Sequence, residues 1–231
     1  KEYVKDINDI LFICQARLAS QRVPQKMIKS FCGTNLLQIL VDKVKSSKVI
    51  PVKNFYLSLY DDELIKLAQQ NNVNFFRRSK ESALEENETK VIWEWHDKLP
   101  FKYVIMISAC NPLLKIQTID DFTKSFLSSE KQGSFGVIAK KQYFWDQNKK
   151  MISDWPCHQK VMNTKTMNTT YEAAHCLYAS RMDIIKEGHW MDTKTPPEPD
   201  LFVMNELEAF DIDYQWQFDT AEAIYKNNNL I

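Results

Sequence analysis

Glycine is nearly missing from this chain: only Gly33, Gly133, Gly136 and Gly188 occur in 231 residues. Neither the G-x-G-x-x-G dinucleotide fingerprint nor the Walker A loop can be written with glycines so placed, which removes dehydrogenase and P-loop kinase readings. Cysteine is sparse and scattered. The five thiols, Cys14, Cys32, Cys110, Cys157 and Cys176, are odd in number and form no C-x-x-C pair. That argues against a disulfide framework and a structural zinc site, and makes a reducing cytoplasm the expected setting. No stretch approaches the roughly 18 apolar residues of a membrane span, and no signal-peptide pattern is visible at Lys1. Net charge is also absent, with 30 basic and 30 acidic residues. This argues against general binding to nucleic acid or anionic membranes, and for cations gathered at one place.

What is present is a core. A hydrophobic content of 44% over 231 residues suits one sizeable domain covering 1–231, without repeats, low-complexity segments or linkers. Apolar runs at Ile10–Cys14, Asn54–Leu59, Val73–Phe76, Tyr103–Ser108, Gly136–Lys140, Ala173–Ser180 and Phe210–Asp213 read as strands. Helical patterns fall at Asn35–Ser46, from Asp61-Asp62 to Gln70, at Thr89–Asp97, at Ile119–Leu127 and from Thr220 to about Asn227. Asp219 and Glu222 look like a capping box for the last of these. Such alternation predicts an α/β fold, a mostly parallel sheet with helices on both faces. Tyr143–Thr170 is irregular and aromatic, too long for an ordinary connection, and His189–Pro199 reads as a loop.

The most informative run follows the first strand. Arg17, Ser20, Arg22 and Lys26 place three cations and a hydroxyl on one strand-to-helix loop. Guanidinium forks and a mobile ammonium suit a polyphosphate better than a neutral ligand. Near the other end, Phe210-Asp211-Ile212-Asp213 puts two carboxylates on one side of an extended segment. Paired carboxylates repel unless a cation lies between them or one is protonated, and their hard oxygens suit Mg²⁺.

The spacing of Ala16, Arg17, Ser20, Arg22, Pro24 and Lys26 resembles the signature of the cytidylyltransferases that activate sialic acids and related nonulosonic acids. The preceding Gln15 also gives a likeness to the spore-coat polysaccharide nucleotidyltransferases, which often read Q-A-R. Asp211-Ile212-Asp213 with Asp219 and Ala221-Glu222 resembles the closing motif of the same cytidylyltransferases, where paired aspartates hold the catalytic metal. The likeness implies a Rossmann-like nucleotidyltransferase fold whose 143–170 segment extends as a dimerising arm. It implies Mg²⁺ on Asp211 and Asp213, and catalytic roles for Arg17, Lys26 and Asp211. Nucleotide contacts are expected from Ala16, Arg17, Ser20, Arg22, Lys26, Arg78, Thr89 and Ser108, and sugar contacts from Glu172 and His175.

Two departures stand out. Many relatives have Gly where this chain has Ala19, so its loop must follow a path that a Cβ tolerates. The synthetases activating Kdo carry a metal-binding Asp where this chain has Cys110, which argues against that branch. The expected reaction is transfer of CMP from CTP to the anomeric hydroxyl of an acid sugar, releasing pyrophosphate, in a cytoplasmic homodimer. A sugar-phosphate nucleotidyltransferase of the spore-coat type and a catalytically silent nucleotide-binding domain are the alternatives.

Overall fold

The computed structural model describes residues 3–155, 158–186 and 199–228. Most of the expected His189–Pro199 loop, and Cys157, lie outside the described residues. Seven strands form one sheet: β1 (Ile10–Gln15), β2 (Phe55–Leu59), β3 (Asn74–Arg77), β4 (Tyr103–Ile107), β5 (Ser134–Lys140), β6 (Thr170–Arg181) and β7 (Asp200–Val203). Their order is β3-β2-β1-β4-β6-β5-β7. β1 pairs in parallel with β2 and β4, and β6 runs antiparallel to both β4 and β5. The sheet is mostly parallel, as the alternation predicts.

The helices are α1 (Leu36–Ser46), α2 (Asp62–Gln70), α3 (Lys80–Leu84), α4 (Thr89–Ile92), α5 (Ile116–Ser128), α6 (Met182–Ile185) and α7 (Gln215–Asn227). They cover the sheet unevenly. Ile10, Phe12 and Cys14 of β1 face a large core built with α1, α2 and α5. Leu11 and Ile13 face a smaller core holding Trp95, Met182 and Ile185. Each such Leu, Ile or Phe contributes about 1.5–3 kcal/mol on burial, and a strand buried on both faces reads as a continuous apolar run.

A third cluster joins the ends of the chain. Val23 and Phe31 from the loop after β1 pack with Ile212, Phe218 and Ala221, and Val23 and Ile212 have no exposed surface. Two apolar anchors thereby bring together segments 191 residues apart, and their polar neighbours follow.

Several expectations need correction. Residues 210–213 form no strand: Ile212 makes one backbone bond, its N–H to the Cys110 carbonyl at 3.0 Å. The sheet-edge strand is β7 instead. The closing helix starts at Gln215, one turn before the expected Thr220, because the Gln217 carboxamide oxygen accepts from the backbone N–H groups of Asp213 and Tyr214. Asp219 therefore sits inside the helix, bonded to Gln215 Nε2 at 2.8 Å, and Glu222 accepts from the Cys32 N–H at 2.8 Å. The expected helix over Thr89–Asp97 breaks at Trp93 into α4 and a 3₁₀ turn, Glu94–Asp97. Between β5 and β6 the stretch holds one isolated bridge, Trp145 to Met151, and a 3₁₀ turn at Thr164–Thr166. Phe144, Trp145, Ile152, Val161 and Met162 are exposed along it.

Candidate active site

The carboxyl ends of β1, β2 and β4 lie together, the place where open parallel sheets receive ligands. A cleft of about 660 Å³ opens there, lined by Gln15 to Arg17, Ala19 to Arg22, Lys26, Leu84, Glu86 and Cys110. Its size suits a nucleotide.

The loop after β1 is held by neighbouring backbone and carboxylates. Ala16 N–H donates to the Ser58 carbonyl at 3.2 Å, and Leu18 N–H to Asp61 Oδ2 at 2.9 Å. Asp61 precedes α2, but its carboxylate serves this loop and makes no cap of its own helix. Ala19 avoids the left-handed region; the positive φ values of the loop fall at Gln25 (53°), Cys32 (48°) and Gly33 (77°).

Each loop cation has a protein acceptor. Arg17 donates to the Ala83 carbonyl at 2.9 Å and lies 3.5 Å from Glu86 Oε1. Arg22 meets Asp213 Oδ1 at 3.0 Å, with Tyr214 stacked 5.1 Å from its guanidinium. Lys26 donates to the Ile212 carbonyl at 2.7 Å. The cleft is thus partly self-neutralised by groups that an anionic ligand would displace.

Asp211 is partly buried, and burial together with the neighbouring Asp213 charge raises its carboxyl pKa, while Lys26 opposes the shift. Carboxylates that destabilise one another fit a cation between them. Among the described residues no group of three or more His, Cys, Asp or Glu is placed to hold a metal by itself. Two carboxylates completed by phosphate oxygens and water match the habit of Mg²⁺. Burial also raises the Cys110 thiol, with Lys26 opposing it. A raised pKa disfavours the nucleophilic thiolate.

The other expected contacts divide. Ser108 lies at the end of β4, where its hydroxyl accepts from the Cys110 N–H at 3.1 Å and shapes the turn beneath the cleft. Arg78 does not line the cleft. It is 4% exposed, with Nε on Ser82 Oγ at 3.0 Å and a second bond to the Ser82 carbonyl; burial, aided by Arg17, lowers its pKa to about 10. Thr89 is also displaced, its hydroxyl donating to the Lys186 carbonyl at 2.9 Å.

On β6, Phe135 pairs with Tyr178 and Val137 with Ala173, so four residues of β6 bulge opposite Gly136. His175 forms the tip of the bulge at φ 56°, its Nδ1 3.2 Å from the Tyr178 hydroxyl and its ring within electrostatic reach of Asp211. Gly136 lies opposite this bulge, and a Cβ there would lie 2.7 Å from Met204 Sδ, so the methionine side chain would have to shift. Glu172 lies before the bulge, 3.9 Å from Lys140, which also bonds Glu206. It is not part of the cleft wall.

Three groups at the cleft carried no signal in the sequence: Leu84, Glu86 and the contact of Gln15 with Trp95. Only the fold reveals that the turn after α3 reaches the loop after β1.

A family model described as cytidylyltransferase matches residues 11–230. The chain belongs to this family. It is 23% identical over 242 residues to the post-translational flagellin modification protein B of Campylobacter coli, covering 97% of this chain and 98% of that one. Spore coat polysaccharide biosynthesis protein SpsF of Bacillus subtilis strain 168 matches at 29% over 120 residues, about half of each chain (49% and 48%). Among solved structures, CMP:2-keto-3-deoxy-manno-octonic acid synthetase complexed with CTP superposes with a TM-score of 0.68 at 10% identity, covering 95% of this chain and 99% of that one. The 4-diphosphocytidyl-2C-methyl-D-erythritol synthase of Anaerococcus prevotii gives 0.66 at 14%, covering 95% and 98%. The shared feature of these structures is the fold, an α/β nucleotidyltransferase sheet.

Proposed function

We propose that this cytidylyltransferase moves CMP from CTP to the anomeric hydroxyl of a nonulosonic acid, with release of pyrophosphate. The observation that carries the reading is the meeting of Arg22 and Lys26, which line the cleft, with Asp213 and Ile212 at its border. The packing of Val23 near Ile212 brings Arg22 and Lys26 beside the segment of Asp211 and Asp213, which supports a phosphate-binding role for the cations and a divalent-ion role for the acids. The cytidylyltransferase family model supports the nucleotide, and the likeness to a spore coat polysaccharide biosynthesis protein over half of each chain supports a sugar acceptor.

Nucleotidyl transfer needs alignment and charge neutralisation more than covalent help. Arg17, Arg22 and Lys26 would leave their protein acceptors to grip the triphosphate and stabilise charge on the departing pyrophosphate. Asp211 and Asp213 would hold Mg²⁺, which when bound supplies positive charge beside the α-phosphate. Ser20 adds a hydroxyl at the cleft wall, and His175, on the bulge near Asp211, stands where an acceptor sugar could hydrogen-bond. No side chain is singled out as general base. The exposed aromatic and aliphatic residues between β5 and β6 support a homodimer formed through that segment.

The test is pyrophosphate release with Mg²⁺ and each of four nucleoside triphosphates against nonulosonic acids and sugar 1-phosphates. Turnover with CTP and an acid sugar is expected. Turnover only with a sugar 1-phosphate would instead favour the spore-coat type of reaction.

A further inference from the structure

Side chains of β1 alternate between two cores, and Leu11 and Ile13 share theirs with Trp95. By that period of two, Gln15 falls on the Trp95 face. It is also the last residue of the strand and lines the cleft. Trp95 has no exposed surface and donates its indole N–H to Gln15 Oε1 at 2.9 Å.

An indole nitrogen only donates, so Trp95 selects the oxygen of the carboxamide and fixes which way the group is turned. The NH₂ end is left for the cleft, and among the described residues no acceptor takes a hydrogen bond from it. A second polar group stands beside it. Ser58 pairs with Gln15 in the β1–β2 register, and its hydroxyl is buried without a hydrogen-bond partner. Trp95 therefore holds the Gln15 amide at the end of the sheet in one orientation, and the group is not a solvated amide free to flip.

Arg22 and Lys26 are tied to the Asp213 and Ile212 segment, which suits phosphates and a metal. Gln15 lines the same cleft as Leu84, an aliphatic side chain 55% exposed, which offers an apolar surface to the face of a planar ring, with Arg17 and Glu86 at the same turn. A fixed donor beside an apolar surface suits a heterocycle with a ring acceptor. We propose that the Gln15 carboxamide reads the nucleobase, donating to the ring acceptors of cytosine. Cytosine presents a lone pair at N3 beside its O2 acceptor. Uracil carries N3–H, and a donor would then face a donor. Gln15 would thus favour CTP over UTP by attraction to one base and repulsion of the other.

The inference rests on the CTP reading, and its test separates the two. Binding of CTP and of UTP is measured by calorimetry for the wild type, Gln15→Glu and Gln15→Met. Glu keeps an acceptor for Trp95 while removing both donors; Met is neutral and reports on the added charge. The wild type is expected to prefer CTP by about 10- to 100-fold, the worth of one hydrogen bond and one donor clash. In both variants that ratio should fall to within about threefold, whatever the common loss of affinity. A wild type without preference for CTP overturns the functional reading and this inference together. A wild-type preference retained in both variants overturns the role of Gln15 alone, as does a change confined to the acceptor-sugar KM.

Discussion

Replacing Lys26 with Met asks whether the loop cations act in turnover or only hold the loop. Its ammonium donates to the Ile212 carbonyl at 2.7 Å across 186 residues of sequence. A hydrogen bond to a charged group contributes roughly 1.5–3 kcal/mol, but this one lies at a cleft where water can replace the donor, so a stability loss near about 1 kcal/mol is expected. Loss of a contact to charge developing in the transition state costs more, about 2–4 kcal/mol, which lowers kcat/KM by about 30- to 900-fold. Lys29 provides the control. It joins the same segments through Gln215 Oε1 at 2.6 Å and lies over the Phe218 ring, but it does not line the cleft. Lys29→Met should match the stability loss and leave kcat/KM within about threefold. Initial rates of pyrophosphate release and thermal melts of both variants measure the two effects. If Lys26→Met also stays within threefold, or Lys29→Met falls as far, the assignment of Lys26 to the phosphates is wrong.

Arg78→Ala should destabilise the fold by about 2–4 kcal/mol, from the space it leaves and the unpaired Ser82 carbonyl, while CTP affinity in calorimetry stays within about threefold. Lys43 gives a pH prediction. It donates to the Pro112 carbonyl at 2.8 Å, and burial lowers its pKa from 10.5 to about 7, with Glu208 opposing. The folded state therefore loses this proton before the unfolded state does, and stability should rise with pH between about 7 and 10.5, by at most about 1.4 kcal/mol per pH unit. In Lys43→Met, denaturant melts across that range should lose this part of the slope; an unchanged slope would contradict the burial of the ammonium.

How much of this was legible depended on what each residue type had to do. β1, β2, β4, α1 and α5 are buried as apolar runs or stripes, so composition and period found them. β7 escaped because it is four residues long, with Phe202 packed against the large core and Phe122 while Leu201 and Val203 are exposed, so no alternation of apolar and polar residues marks it. Phe210–Asp213 passed for a strand for the opposite reason. Its alternation is real, with Ile212 buried and an acid on either side, but its backbone is held by the turn after β4 and by Lys26. The carboxylates were thus found by correct periodicity attached to the wrong hydrogen bonding. Arg78 was expected at the nucleotide because a cation just past β3 reads the same in sequence whether it turns outward or inward. Arg77 stays exposed beside Asp62 at 3.4 Å, while Arg78 turns inward to Ser82. The orientation of Gln15 depends on a tryptophan 80 residues away, which no local pattern reports.

The central claim is that two ends of the chain build one nucleotidyl-transfer site. Its most direct test is Mg²⁺-dependent pyrophosphate release from CTP and a nonulosonic acid, comparing the wild type with Asp211→Asn, a change that keeps the size of the side chain and removes its charge. The account predicts turnover in the wild type and a loss of about 100-fold or more in the variant, with its melting temperature preserved. A variant as active as the wild type would contradict the placement of the metal, and a wild type unable to bind any nucleotide would contradict the account as a whole.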